Sequence, residues 1–312
     1  TSLSTNTTGG ENVALGRSTL ASNSTGCKNV AVGSSALLSN STANDNIAIG
    51  FQSLEQNTTG TSNVAVGCGA LESNTTASDN VAMGKRALGG TTTGCRNTAM
   101  GRTAMNGNST GDTNVAVGYA ALYANTTADN NTAIGSQALE ANTTGTSNTA
   151  VGRQALKANT TASNNTAVGF NAGTAITTGY QNTALGQNAL DSTTTANHNT
   201  AIGATTLAAN TTGYANTAVG YNALCTHTTG NSNTAVGDHA MKLTTTGTFN
   251  VAVGDNALCA NTTASSNVAI GRDTMFANTT GANNVAVGAL ALDANTTGCQ
   301  NVAVGTSALS AN

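Results

Sequence analysis

The chain has 312 residues, of which 38% are hydrophobic, 7% charged and 3% aromatic, with no Pro or Trp and a net charge of −3. Such a composition excludes a conventional core of Leu, Phe and Trp. The low, mixed charge gives no basic stripe for a phosphate backbone, so nucleic-acid binding has no electrostatic support.

From the first residues onward one pattern recurs. A pentad of Asn, any residue, Ala, an aliphatic and Gly starts at Asn12, Asn29 and Asn46 and continues to Asn301. The step is always 17 residues, giving 18 copies without insertion or deletion. A strict period is the signature of one small unit stacked on copies of itself. It overrides the length prior of about two domains and describes residues 1–312 as a single repeat array. An abundance of Gly, Ser, Thr and Asn also suits a disordered chain. Disorder does not require an aliphatic at one fixed position in all 18 units, so the period favours an ordered solenoid.

Counting from the Asn, positions one, three and five are always Asn, Ala and Gly, and position fourteen is always Thr. Position nine is Leu or Met except at Gly173. The pentad reads as a short strand whose second and fourth residues point inward and whose Ala points outward. The segment around the Ala-Leu pair reads as a second strand with its Leu inside. The Asn-Thr-Thr-Gly stretch is the return turn. Gly, Asn and β-branched residues at this density oppose a helix. The expected fold is all-β, a parallel β-solenoid or β-roll of 18 coils of 17 residues. At about 4.8 Å per coil it would be roughly 85 Å long.

Stacking gives the fixed letters their roles. Asn at position one forms an amide ladder, and Thr at position fourteen forms a hydroxyl ladder. Gly at position five turns a corner with φ above zero or permits close approach. Ala replaces Gly at position fifteen six times, from Ala43 to Ala264, which argues against an obligatory positive φ there. An outward strip of Ala, with so thin a core, points to a partner chain. An intertwined or side-by-side homotrimer is the expected assembly, and a monomeric solenoid is the alternative.

Every charged residue and every aromatic sits at positions six, seven, ten, sixteen or seventeen. Arg17, Lys85, Arg102, Arg153 and Arg272 are at six, as are Phe51, Tyr119, Phe170 and Tyr221. These surface aromatics can stack on sugars or pack at chain boundaries, although variable positions also tolerate them without function. The six cysteines, Cys27, Cys68, Cys95, Cys225, Cys259 and Cys299, lie at variable positions and read as free thiols. Cys225 and Cys259, two coils or about 9.6 Å apart, are too distant for a disulfide. His198, His227 and His239 occupy three different positions and form no triad. The stacked acids Asp238 with Asp255, and Glu55 with Glu72, read as solvated pairs rather than a cation site. No catalytic residue, cofactor-binding residue or metal ligand is assigned, and no cofactor is expected. Thirteen Asn-Thr-Thr or Asn-Ser-Thr sequences, from Asn6 to Asn295, match the glycosylation acceptor pattern but also serve turn chemistry.

Two pentads, Asn46-Ile-Ala-Ile-Gly50 and Asn267-Val-Ala-Ile-Gly271, resemble the coil motif of trimeric autotransporter adhesin heads, which are trimers of left-handed parallel β-rolls. The whole unit from Asn216 to Ser232 is similar to repeats of phage and virus tail-fibre proteins, where such repeats often precede a self-cleaving chaperone domain. The likeness covers essentially the whole chain. It departs in its 17-residue coil and in having no neck, stalk or chaperone domain. The resemblance implies left-handed coils, a homotrimer and an extracellular place on a virion or cell surface. It implies a non-enzymatic tail fibre or adhesin shaft for host or surface attachment, with a cell-surface glycan or protein as receptor. Because the sequence starts and stops partway through a repeat, it reads as a segment of a longer fibre protein. No apolar run approaches the ~18 residues of a membrane span, so no membrane insertion is expected. An ice-binding filament is the alternative function, and a solenoid polysaccharide lyase is disfavoured because the charges form no cluster across several coils.

Overall fold

The computed structural model describes residues 2–311. They form two compact units, one reaching to Thr161 and one beginning at Ala162. Each is an all-β parallel solenoid, and there is no helix among the described residues. The first unit stacks β1 (Val13–Leu15), β2 (Val30–Val32), β3 (Ile47–Ile49), β4 (Val64–Val66), β5 (Val81–Met83), β6 (Thr98–Met100), β7 (Val115–Val117), β8 (Thr132–Ile134) and β9 (Thr149–Val151). The second stacks β10 (Thr166–Val168), β11 (Thr183–Leu185), β12 (Thr200–Ile202), β13 (Thr217–Val219), β14 (Thr234–Val236), β15 (Val251–Val253), β16 (Val268–Ile270), β17 (Val285–Val287) and β18 (Val302–Val304). Within each unit every strand pairs in parallel with the next at a 17-residue step, so Ala faces Ala, as in Ala48 with Ala65 and Ala218 with Ala235.

The two sides of the strand are reversed from the sequence expectation. Ala at position three is the inward residue: Ala31, Ala48, Ala65 and Ala235 are fully buried. Its neighbours at two and four point outward, with Ile47 37% and Ile49 40% exposed. Alternation fixes that these sides differ but not which is inner. The inner side is settled by volume. Position nine already places a fully buried Leu or Met in nearly every coil, and position eight a buried Ala, Ser or Thr in many of them. A coil closed by 17 residues has room for Ala opposite that Leu.

The second expected strand is absent. Residues around the Ala-Leu pair form turns instead, because positions seven and nine are left-handed, as in Ser35 at φ 60° and Leu37 at φ 50°. The amides of these two left-handed residues point in opposite directions along the stack. Ser35 N–H donates back to Arg17 O at 2.9 Å, while Leu37 N–H donates forward to Ser53 O at 3.0 Å. Position seventeen is left-handed too, as at Asp45, φ 59°, whose N–H donates to Cys27 O at 3.1 Å. A left-handed non-Gly residue costs roughly 1–2 kcal/mol, and branching at Cβ worsens it. Thr is nonetheless accepted at positions seven and seventeen, as at Thr103 and Thr113, whereas the enclosed position nine is Leu or Met in every coil but one and never Val or Ile. The one coil without that side chain has Gly173 and carries a buried Ile176 at position twelve instead.

Gly at position five does turn a corner. Gly50 has φ 135°, and a Cβ there would sit 2.6 Å from Gly67 O. At position fifteen no left-handed φ is required, as the Ala replacements imply. The Ala residues there never occur in two successive coils. A Cβ on the intervening Gly60 would collide with the carbonyl oxygen of Ala77.

Two substitutions distinguish the strand's sides. Ala65→Leu overpacks the interior and destabilises by about 1–3 kcal/mol. Val66→Leu, one residue on but outside, changes stability by less than about 0.5 kcal/mol. Denaturant unfolding of both variants reads the difference, and equal effects would reject the inward Ala.

Candidate functional site

Two asparagine rails run inside each unit. At position one, Asn63 Nδ2 donates to Asn46 Oδ1 at 3.1 Å, and the same oxygen accepts the Asn63 backbone N–H at 3.0 Å. Asn63 Nδ2 also donates to Ala77 O at 2.8 Å. At position twelve, Asn74 Nδ2 donates to Asn57 Oδ1 at 2.7 Å and to that same Ala77 O at 3.1 Å. One carbonyl per coil therefore braces both rails. The expected amide ladder is present, with a second beside it that the sequence reading treated as turn chemistry.

The threonine rail differs from expectation. The hydroxyls tying coil to coil are at position thirteen, as in Thr58 Oγ1 donating to Thr75 O at 2.9 Å. Thr at position fourteen is exposed in every coil, and nothing in the structure explains its invariance.

Burial of the second rail bears on the glycosylation pattern. Asn23, Asn40, Asn57 and Asn125 are fully buried, and their Nδ2 atoms are occupied, as in Asn125 to Asn108 Oδ1 at 2.8 Å. Folded coils do not present these amides to a glycosyl donor. Asn6 is exposed.

The rail is interrupted where another residue replaces Asn. Thr91 follows Asn74, and Asn74 Oδ1 then has no donor. His227 follows Asn210, and both Asn210 Oδ1 and His227 Nδ1 lack partners. His227 Nε2 lies 2.7 Å from Gly230 O, so the proton is on Nε2 and two unpaired acceptors remain. Burial pushes the His227 pKa below the ordinary histidine value, and the bond to Gly230 O opposes this only in part.

The remaining candidate residues are on the surface. All six cysteines are free, and burial raises the thiol pKa of Cys225 and Cys259, with Lys242 opposing in each case. His239 Nδ1 pairs with Asp238 at 3.2 Å and its ring meets Tyr221 edge-on at 5.5 Å. His198 meets Tyr180 the same way at 5.3 Å. Among the described residues the three histidines contact Tyr180, Gly230 and Asp238 respectively at separate places, which assembles no triad. Glu55 accepts a hydrogen bond from Gln52 at 3.0 Å. Among the described residues no group of three His, Cys, Asp or Glu could hold a metal ion, and no helix is long and apolar enough to cross a membrane.

Two surfaces stand out. The first is the outer side of the strands, where positions two and four hold only Val, Thr, Ile, Leu or Met in every coil. Met83, Met100, Ile134 and Leu185 on it are 40–45% exposed. The second lies past the Gly corner in the first unit. It is a groove of about 390 Å³ bordered by Phe51, Lys85, Arg86 and Arg102. The sequence reading missed it because each charge was weighed singly. The available signal was a run of departures from the repeat, Gly69, Gly89, Gly90 and Gly107, in successive coils.

His227→Asn restores the missing donor to Asn210 Oδ1 and stabilises by roughly 0.5–1.5 kcal/mol near neutral pH. The depressed pKa favours the neutral imidazole in the fold. That contribution is complete above the unfolded value of about 6.5 and is lost as pH falls from there toward the folded value. The variant's advantage therefore widens between pH 7.5 and 5, as thermal unfolding at both pH values would show; an advantage independent of pH would refute this role for His227. Neither a protein-family model nor a curated protein matches the chain, so the functional reading rests on these surfaces.

Proposed function

We propose that this chain is a non-enzymatic structural fibre segment, a viral tail-fibre or cell-surface adhesin shaft that acts outside the cell as a stiff, extended homotrimer. The observation that carries the reading is the outward strip of positions two and four. It is apolar or Thr in every coil, carries no charge, and repeats at the coil step. Soluble monomers rarely leave a contiguous apolar strip uncovered. A surface with this period is matched by another surface of the same period, and a second copy of the chain supplies one. Alternation in the sequence places Ala on this strip; with Val, Ile, Leu and Met there instead, far more apolar area is available to bury between chains.

Stiffness comes from the rails. Each coil is tied to the next through backbone, asparagine and hydroxyl bonds, all parallel to the stack. Variation is confined to outward positions, where repeated weak contacts to a glycan or protein receptor would add through multivalency. Left-handed coils belong to this proposal through the adhesin-head resemblance.

A second reading, an ice-binding filament, is favoured by the exposed Thr at position fourteen of every coil. The rank is one residue wide, since the hydroxyl at thirteen is committed to the next coil. A thermal-hysteresis measurement at millimolar protein is expected to give no activity, and a clear freezing-point gap would favour the filament instead.

Light scattering of the purified protein is expected to give three chain masses, and one chain mass would end the trimer reading. Ile49→Asp with Ile134→Asp should release monomers that keep the parent far-ultraviolet spectrum. Trimers persisting in that variant would mean that the strip is not the interface.

A further inference from the structure

The groove in the first unit is built where the repeat breaks its own rules. Position seven is Gly only at Gly69, position ten only at Gly89, and position eleven only at Gly90 and Gly107. These fall in three successive coils. Gly69 borders a depression of about 390 Å³, and Gly89 and Gly90 border an adjoining one of about 240 Å³ that shares Glu72 and Arg86 with it. The first continues through Arg102 and Thr103 into another of about 200 Å³ beside Tyr119. Elsewhere the same surface positions carry side chains.

The groove is also where positive charge gathers. Lys85, Arg86 and Arg102 are three of the ten basic residues of the chain, and Lys85 with Arg86 is its only adjacent basic pair. Among the described residues none of the three takes part in an ion pair, whereas Arg96, Lys157 and Arg272 do. Glu72 is the one carboxylate bordering the larger depression. Arg102 lies over the Tyr119 ring at 5.9 Å from its centroid, a cation–π contact that keeps its guanidinium at the groove wall. Phe51 and Tyr119, each 52% exposed, flank Cys68, Lys85 and Arg102 on the position-six row. Four coil steps separate them, about 19 Å at the strand spacing.

We propose that this groove binds an acidic oligosaccharide, with its sugar rings against Phe51 and Tyr119 and its carboxylates on Arg86, Lys85 and Arg102. Aromatic faces suit the apolar faces of sugar rings, and the guanidinium fork pairs a carboxylate through two hydrogen bonds. The spacing separates this ligand from a nucleic-acid strand. A single strand places one charge about every 3.4 Å, or between five and six over about 19 Å, against three cations, Glu72 and, beside Tyr119, Glu140, which is paired with Lys157. An acidic glycan carries about one charge per ring and matches the three cations better. The groove lies beyond the Gly corner from the outward strip, on residues other than those proposed to join the chains. The inference rests on the attachment reading above and gives that reading a ligand class and a place.

The test uses the full chain and isothermal titration at low salt with four probes: an α2,8-linked sialic acid tetramer, tetragalacturonate, cellotetraose and an eight-nucleotide thymidine oligomer. One or both acidic tetramers should bind at least tenfold more tightly than cellotetraose and than the thymidine oligomer, and weaken as salt is raised. Replacing Lys85, Arg86 and Arg102 by Gln should reduce that binding at least tenfold. Gly69→Asn, which suits the left-handed φ of 66° and refills the depression, should do the same with all charges in place. Unchanged unfolding midpoints establish that both variants are folded. The inference is overturned if neither acidic tetramer binds, if the thymidine oligomer binds as tightly as the better of them, or if the Gln variant binds as the parent does. Light scattering on the same samples separates the two readings. A trimer that ignores the acidic tetramers refutes the groove alone, and a monomer that binds them refutes the assembly alone.

Discussion

The structure depends on hydrogen bonds made from each coil to the next. With one Leu and two small residues inside a coil, apolar burial alone is modest. Three left-handed residues per coil add a conformational cost. What offsets both is the sharing of donors and acceptors along the stack, most completely by asparagine. At position one a side-chain oxygen typically accepts two N–H groups of the next coil, as Asn46 Oδ1 does from Asn63, and the side-chain amide of Asn63 donates to the preceding coil and to its own. Such satisfaction is available only to a coil with a neighbour. The unit is therefore defined by repetition, and the Asn is fixed because no other side chain offers that donor and acceptor at that length. At Thr91 and His227, where the residue changes, unpaired oxygens follow at once.

Solenoid architecture, coil length and the Gly corner were legible because each reflects a constraint repeated in every unit. The side of the strand was not. Alternation in Val-Ala-Val is symmetric, and the usual preference for aliphatic interiors gives the wrong answer here. The decisive quantity is the volume left beside Leu37, Leu54 or Leu71 in so small a coil, which depends on closure rather than on local pattern. The second strand was misread for a related reason. Nothing in an Ala-Leu pair announces two left-handed residues; the absence of Val and Ile from position nine was the usable sign. The hydroxyl rail was placed one residue late because Thr occupies both positions, and only the coil's curvature decides which one turns inward.

The inversion alters where function resides. Interior positions are almost interchangeable between coils, so little specificity can be written there. Outside, two kinds of surface remain. The strand side is uniform and apolar, suited to another periodic surface. The sides beyond the Gly corner are variable, and in one place the variation accumulates, with three unpaired cations, glycine-opened space and flanking Phe51 and Tyr119. In the function proposed for this chain, uniformity serves assembly and irregularity serves recognition, and the two are separated by a single bend at position five.

The most direct measurement is electron cryomicroscopy of the assembled protein at a resolution that separates side chains. The account predicts coils at about 4.8 Å spacing, with the Ala of each strand enclosed within its own coil and the flanking Val, Ile, Leu and Met packed between chains. Aliphatic side chains inside the coil with Ala facing out would contradict it, as would an assembly in which the aliphatic strip faces water.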